Sequence, residues 1–312
     1  MVAEKRIKKG MYWDRAWALV EGCTPVDESC EGCWAAEASY MRQFNPAVSY
    51  RHEGLTNEQG RFNGTIRLME QDLEKPVHTR KEWTWAIWND LFHEKVPLRF
   101  IADALDIMAL ESCEHQTFLI LTKRPEHSFL ALTKRAARVP FFFAVMREAG
   151  EVILPAVTLP NLWVGVTVPM QKYVIRLEHL LQYPGKRYVS IEPCLGEVDL
   201  RPYLPYLHGV ILGGESGPRA RPMHPDWARK VRDDCAEFNV PFFFKQWGEW
   251  CPDDFTTVTP GGRTPKRAWV HHTTGEAYDW AYPYNCEGMM RVGRNKAGRL
   301  LDGREHNDLA WN

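Results

Sequence analysis

The chain has 312 residues, with 39 Lys and Arg against 40 Asp and Glu and a formal net charge of −1. That balance excludes the global basic field that drives non-specific nucleic-acid binding, so any nucleic-acid contact must use a local patch. Hydrophobic residues make up 45% of the chain and charged residues 25%, enough for a sizeable core. No stretch approaches the roughly 20 apolar residues of a membrane span, and the basic start carries no apolar signal-peptide core; the reading is a cytoplasmic protein without membrane contact.

In chain order, seven short apolar runs end in polar or glycine residues: WALV (17–20), WTWAIW (83–88), TFLIL (117–121), LWVGVTV (162–168), RYVSI (187–191), GVIL (209–212) and PFFF (241–244). Helix-like segments lie between them. One opens at Pro97 and repeats apolar residues at Leu98, Ile101, Leu105 and Met108; a second carries Tyr173, Leu177, Leu180 and Leu181; a third carries Trp227, Val231 and Cys235. Uniformly apolar strands alternating with amphipathic helices predict a parallel sheet covered on the outside. The expected fold class is α/β, a partial or complete (β/α) TIM-type barrel over residues 1–246. It includes a helical insertion at about 125–160, and an irregular or β-rich C-terminal extension (247–312) packs on it. No GxGxxG fingerprint follows any run, which weakens a nucleotide-fold alternative.

In such a barrel, chemistry sits at the C-terminal strand ends, and those ends are polar here. They carry Asn89 and Asp90; Thr122, Lys123 and Arg124; Thr167; Ser190 and Glu192; Gly213, Gly214, Glu215 and Ser216; and Lys245 and Gln246. Together they predict one ring-shaped site, although Asp90 and Ser216 also suit simple helix N-caps.

The first run is followed by Cys23, Cys30 and Cys33, three of eight cysteines within eleven residues. A tight cluster in a large cytosolic chain is more often a metal site than a disulfide framework. Four thiolates close a structural zinc site, whereas three on a [4Fe–4S] cluster leave one iron open to a ligand. Spacing alone leaves both readings open. Cys113, Cys194, Cys235, Cys251 and Cys286 are scattered and read mostly as core filler.

A three-cysteine loop after the first strand of a (β/α) barrel resembles the radical S-adenosylmethionine (SAM) enzymes. More narrowly, GCTPVDESCEGCWA, NDLFHEKVP, LTKRPE, LPNLWVGVTV, SIEPCLGEVDL, LGGESGPRARPMHPDW, PFFFKQWGEW and GRLLDGREHND are similar to a phage- and bacterium-encoded radical-SAM-like family of phage proteins of unknown function. These blocks run from about residue 17 to the C-terminus. Two departures from the wider superfamily stand out: the first cysteine gap is six residues rather than three, and Trp34 follows the third cysteine rather than an aromatic preceding it.

The resemblance implies a barrel of the radical SAM kind with a [4Fe–4S] cluster on Cys23, Cys30 and Cys33, SAM as second cofactor, and a flavodoxin- or ferredoxin-type electron donor. It implies that Asn89 or Asp90 accepts from the SAM amino group and that Lys123 or Arg124 pairs with its carboxylate. Thr167 and Glu192 suit the ribose hydroxyls, and Gly213 and Gly214 let the backbone approach the adenine. Trp34, Thr122 and Ser190 complete the cofactor side. Glu215, Lys245 and Gln246 are left as catalytic residues facing substrate. The implied substrate is a modified thymidine base of phage DNA or its nucleotide, within a bacterial host, with Trp247 as the stacking platform and Trp250, Trp269 and Trp280 beside it.

Three rivals differ in class. A radical SAM enzyme can act on a peptide or small metabolite instead. A metal-free barrel hydrolase would use Glu192 and Glu215 as acid and base, which leaves the cysteines without purpose. A zinc-stabilised nucleic-acid-binding protein would use Arg291, Arg294, Lys296, Arg299 and Arg304 as a basic strip. His271 and His272 are offered as zinc ligands in that last reading, but they lie in a turn-rich segment and read as surface residues.

Overall fold

A computed structural model describes residues 6–7, 9–126, 146–148, 151–153, 158–253, 265–279 and 284–311. All seven apolar runs contribute to strands of one parallel sheet: β1 Arg15–Trp17, β2 Thr84–Ile87, β3 Thr117–Thr122, β4 Leu162–Thr167, β5 Lys186–Ile191, β6 Gly209–Gly213 and β7 Phe242–Gln246. Their order in the sheet is their order in the chain, so every crossover steps the same way. Helices fill the connections: α1 Trp34–Arg42 after β1, α2 Leu98–Met108 after β2, α3 Ile175–Leu180 after β4 and α4 Pro225–Glu237 after β6.

The strands read as apolar throughout because both faces are buried. Phe118, Ile120, Val164, Val166, Val189, Ile191, Val210, Leu212, Phe242 and Phe244 join the main core beneath the helices. Alternate residues Leu119, Trp163, Tyr188, Ile211 and Phe243 form a second cluster on the other face, covered by Tyr12 and Trp311 from the two chain ends. Period-two alternation thus separates two cores rather than a core from solvent.

The expectation of a TIM-type barrel is corrected: the sheet curls but stays open, with β1 and β7 at its edges and no ladder between them. Two features account for the open seam. The outer edge of β7 is taken by the C-terminal segment, where Phe244 N donates to His306 O at 3.0 Å and Asp308 N to Phe242 O at 3.2 Å. The Tyr12 and Trp311 rings then occupy the concave face, where Trp311 Nε1 donates to Tyr12 O at 3.0 Å. An edge already paired has no free donors and acceptors left for barrel closure.

The helical insertion expected at 125–160 falls largely outside the described residues. Within it, Met146–Glu148 and Glu151–Ile153 form an antiparallel strand pair. After residue 247 the chain forms a four-stranded antiparallel sheet of β8 Trp250–Pro252, β9 Lys266–His271, β10 Ala277–Tyr278 and β11 Cys286–Arg291, in the order β8-β11-β9-β10. Trp247, Trp250, Val270 and Met289 from this region belong to the main core. Among the described residues no helix is long and apolar enough to cross a membrane.

Candidate cysteine-centred site

The loop between β1 and α1 carries all three clustered cysteines and is tied to later strand ends by buried charge. Asp27 caps the 3-10 turn Glu28–Cys30, accepting from Ser29 N at 3.0 Å. Its side chain is fully buried and receives Lys123 Nζ, from just past β3, at 3.0 Å and Arg176 Nη2, from α3, at 2.7 Å. Burial alone would raise this carboxyl; Lys123, Ser29 and Arg176 outweigh it and hold Asp27 well below the usual carboxylate range. Lys123 also donates to Ser29 Oγ and, at 3.3 Å, to Cys30 Sγ.

Arg124 does the same for Cys23. Its Nη1 lies 3.0 Å from Asp90 Oδ2 and 3.8 Å from Cys23 Sγ, its Nε 2.8 Å from Glu94, and its Nη2 2.7 Å from the Thr24 carbonyl. Asp90 is consumed within this knot, since its other oxygen accepts from Thr122 Oγ1 at 2.7 Å and Phe92 N at 3.1 Å. Asp90 and Thr122 therefore position Arg124. Asn89, with φ 56°, donates to the Val20 carbonyl at 2.8 Å and to Glu21 at 3.3 Å.

Cys33 stands at the N-cap of α1. Charge on Cys33 opposes charge on Cys23, and charge on Cys30 opposes charge on Cys33, so the three thiols share one neighbourhood. Burial pushes Cys23 up to about 12, with Asp90 adding to the rise and Arg124 opposing it; burial also raises Cys33 against the pull of the Ala36 and Ala35 amides. The three thiols do not all lie within 4.8 Å of one another. Among the described residues the one group with three ligand atoms within 4.8 Å of one another is His224, Asp226 and His272. A tetrahedral zinc ion with bonds of about 2.3 Å needs its thiolates about 3.8 Å apart. The loop therefore offers three soft donors, with cationic side chains near two of the sulfurs.

The other side of the loop is held from the end of β6. Glu215 is buried and accepts from Arg221 N and Nε, both at 2.8 Å, and from Nη2 at 2.7 Å. The same Nη2 donates to the Glu28 carbonyl at 3.0 Å. A Cβ on Gly32 would stand 2.5 Å from Glu215 Oε1, so only glycine lets the loop lie against this carboxylate. Glu215, expected to face substrate, instead clamps the cysteine loop.

A second polar group lies on the concave face at the ends of β5 to β7. Glu192 accepts from Ser190 Oγ at 3.1 Å and pairs with Lys245 Nζ at 2.7 Å, while Lys245 lies 5.4 Å from the Tyr12 ring centre. Burial, then the Glu192 charge, pushes the Tyr12 phenol well above its ordinary range. Packing within the fold explains the two glycines expected to face adenine. A Cβ on Gly213 would lie 3.1 Å from Glu192 Oε1, and one on Gly214 would meet the Trp247 carbonyl at 2.0 Å. Gln246 donates to the Gly214 carbonyl at 2.9 Å. Thr167 is buried, and its carbonyl accepts from Arg176 at 2.8 Å.

Trp34 is 51% exposed and meets Trp88 edge-on at 5.3 Å, so the aromatic beside Cys33 is accessible. Trp247 is buried, donates to the Leu300 carbonyl at 2.8 Å and packs on Phe244, so it is core rather than a stacking platform. Trp250 is likewise buried and bonded to the Ala220 carbonyl at 2.7 Å; Trp280 lies outside the described residues. Asp27, Arg176 and Arg221 escaped sequence reasoning. Asp27 had a signal, an Asp two residues before Ser29 in a short loop, which is an N-cap pattern. Nothing in local spacing marked Arg176 or Arg221, because their partners Asp27 and the Glu28 carbonyl lie over 140 residues away.

An open, singly wound parallel sheet with a thiol loop braced across its C-terminal strand ends defines an α/β protein with a candidate cofactor site where α/β sheets place their ligands. Within that class the chain belongs to the family described as protein of unknown function (DUF5131), whose model matches residues 8–310. No curated protein and no solved structure matches the chain.

Proposed function

We propose that the chain is a radical SAM enzyme whose Cys23, Cys30 and Cys33 hold a [4Fe–4S] cluster. The observation that carries this reading is the loop itself: three thiols in one short loop, with Lys123 and Arg124 against two of the sulfurs. Held by Cys23, Cys30 and Cys33, such a cluster would supply the electron for reductive cleavage of SAM and so give access to hydrogen-atom abstraction from a substrate.

The chain's own residues hold and neutralise. Arg124 and Lys123 offset the negative charge that three thiolates bring into a half-buried loop. Asp27, held by Arg176, and Glu215, acting through Arg221, brace that loop from opposite sides. A cavity of about 390 Å³ opens beside it, with Glu94 and Glu126 as well as Lys123, Arg124, Arg176 and His179 in its wall. Lys123, Arg124 and Arg176 are each paired with a carboxylate there, so a SAM carboxylate would compete with Asp27, Asp90 and Glu94 for them. The Ser190, Glu192 and Lys245 group offers acceptors and a donor for hydroxyls on the concave face. The reading needs only a shared C-terminal strand edge and not a closed barrel.

The substrate part, a modified thymidine base of phage DNA, rests on the resemblance alone. Trp247 and Trp250 are core residues, and Arg299 of the basic strip is buried against the Lys245 and Phe244 carbonyls. Base stacking therefore has to use exposed groups such as Trp34.

The test is anaerobic reconstitution with iron and sulfide, then dithionite and SAM. Four irons per chain, a visible charge-transfer band and 5′-deoxyadenosine are expected. Stoichiometric zinc without iron, or S-adenosylhomocysteine as the sole product, overturns the reading. Hypermodified DNA digested to nucleosides after incubation shows a mass change if the base is the substrate.

A further inference from the structure

A second group of ligand side chains stands apart from the cysteines, at the junction of α4, the C-terminal sheet and the segment after β5. His224 caps α4, its Nδ1 accepting the Asp226 amide at 3.1 Å. Its buried ring meets the His272 ring edge-on, with centroids 4.9 Å apart. Asp226 Oδ2 lies 3.9 Å from His224 Nδ1, and Glu197 Oε2 lies 3.4 Å from His272 Nε2. The ligand atoms of His224, Asp226 and His272 fall within 4.8 Å of one another.

The backbone at this junction is fixed by its own bonds. The His272 carbonyl accepts Trp227 Nε1 at 2.8 Å, and the His272 amide donates to the Asn285 carbonyl at 2.7 Å. A tetrahedral zinc ion with bonds of about 2.0–2.1 Å to nitrogen and oxygen separates its ligands by about 3.4 Å. The His272–Glu197 contact already has that spacing, and the ligand atoms of His224, Asp226 and His272 lie within 4.8 Å of one another.

We propose that His224, Asp226, His272 and Glu197 bind one divalent transition-metal ion, with zinc the best match, as a clip fastening the C-terminal sheet to α4. Two imidazoles and two carboxylates are a borderline-hard N2O2 set, suited to zinc rather than to an iron–sulfur group. The N-terminus of α4 repels a cation, and the two carboxylates offset this. Binding exchanges the Asp226 N–H for the ion at Nδ1.

The test uses full-length protein stripped with EDTA and titrated calorimetrically with zinc chloride alone. The wild type and a variant with Cys23, Cys30 and Cys33 all changed to Ala should each bind one zinc ion at this site. His272→Ala and Glu197→Gln in the cysteine-free background should each weaken binding by more than about tenfold, the loss already seen on removing an outer-shell partner. The thermal midpoint should rise with zinc in the cysteine-free protein and not in its His272→Ala derivative. Zinc binding that disappears with the cysteines, or that survives both His272→Ala and Glu197→Gln unchanged, overturns the site.

Discussion

Lys123 Nζ stands 3.0 Å from Asp27 Oδ1, joining the end of β3 to the middle of the cysteine loop beneath the surface. With Arg176 on the other carboxylate oxygen, a fully buried anion is shared by two cations from two crossovers. Removing one member of such a set leaves uncompensated charge, which costs more than the pair contributes. Asp27→Asn should therefore lower unfolding free energy by about 3–5 kcal/mol, measured by denaturant titration. Adding Lys123→Met should recover part of that loss. Simple additivity of the two changes would show that Asp27 and Lys123 are not coupled.

The thiols of the metal-free protein set a pH requirement for loading. Burial holds Cys23 near 12 and raises Cys33, so at neutral pH both are protonated, and metal must displace those protons. Cluster assembly should release protons and run faster at pH 8.5 than at pH 7. Iodoacetamide should label Cys23 of the metal-free protein more slowly than free cysteine in the same buffer. Equal labelling rates would contradict the burial of this thiol.

Trp247 tests core against binding surface. It packs on Phe244 and donates to the Leu300 carbonyl, so Trp247→Ala should cost about 3–5 kcal/mol of stability. Gly214→Ala should also destabilise, because its Cβ would fall 2.0 Å from the Trp247 carbonyl. Unchanged stability with weakened nucleotide binding would restore the stacking role to Trp247.

His52 sets an acid limit. Burial first, then the charges of Arg42, Arg51 and Arg67, push its pKa down to about 4; Glu21 faces Nδ1 at 3.9 Å, and Ser39 bonds the same atom at 3.2 Å. Between pH 6.5 and 4 the unfolded state binds this proton and the folded state does not, so stability rises with pH across that window. The contribution is absent above pH 6.5 and grows as a penalty of roughly 1–3 kcal/mol as pH falls towards 4. His52→Gln should flatten that part of the stability–pH curve, followed by thermal denaturation at fixed ionic strength. A curve of unchanged slope would mean that His52 does not titrate there.

The sequence by itself determined the strands, three of the helices between them and the position of the thiols, because these depend on local pattern. Uniform apolar runs such as LWVGVTV have no polar face, so they must be buried on both sides, and the 3.6-residue stripe of Trp227, Val231 and Cys235 must face inward. Three cysteines within eleven residues must fall in one loop, which fixes their place along the chain though not their spacing.

Whether the sheet closes was decided by the tertiary structure alone. Barrel closure depends on what reaches the edges, and the C-terminal segment at His306 and Asp308 pairs with β7 from over 60 residues away. The roles of the charged residues were settled the same way. Glu215 and Asp90 look alike at a strand end, yet Glu215 is neutralised by Arg221 six residues on and Asp90 by Arg124 from the next strand end. His224 and His272 are 48 positions apart, and only the docking of the C-terminal sheet on α4 brings their rings together. A buried charge is stabilised by whatever opposite charge the fold delivers to it, and that delivery has no signature in local spacing.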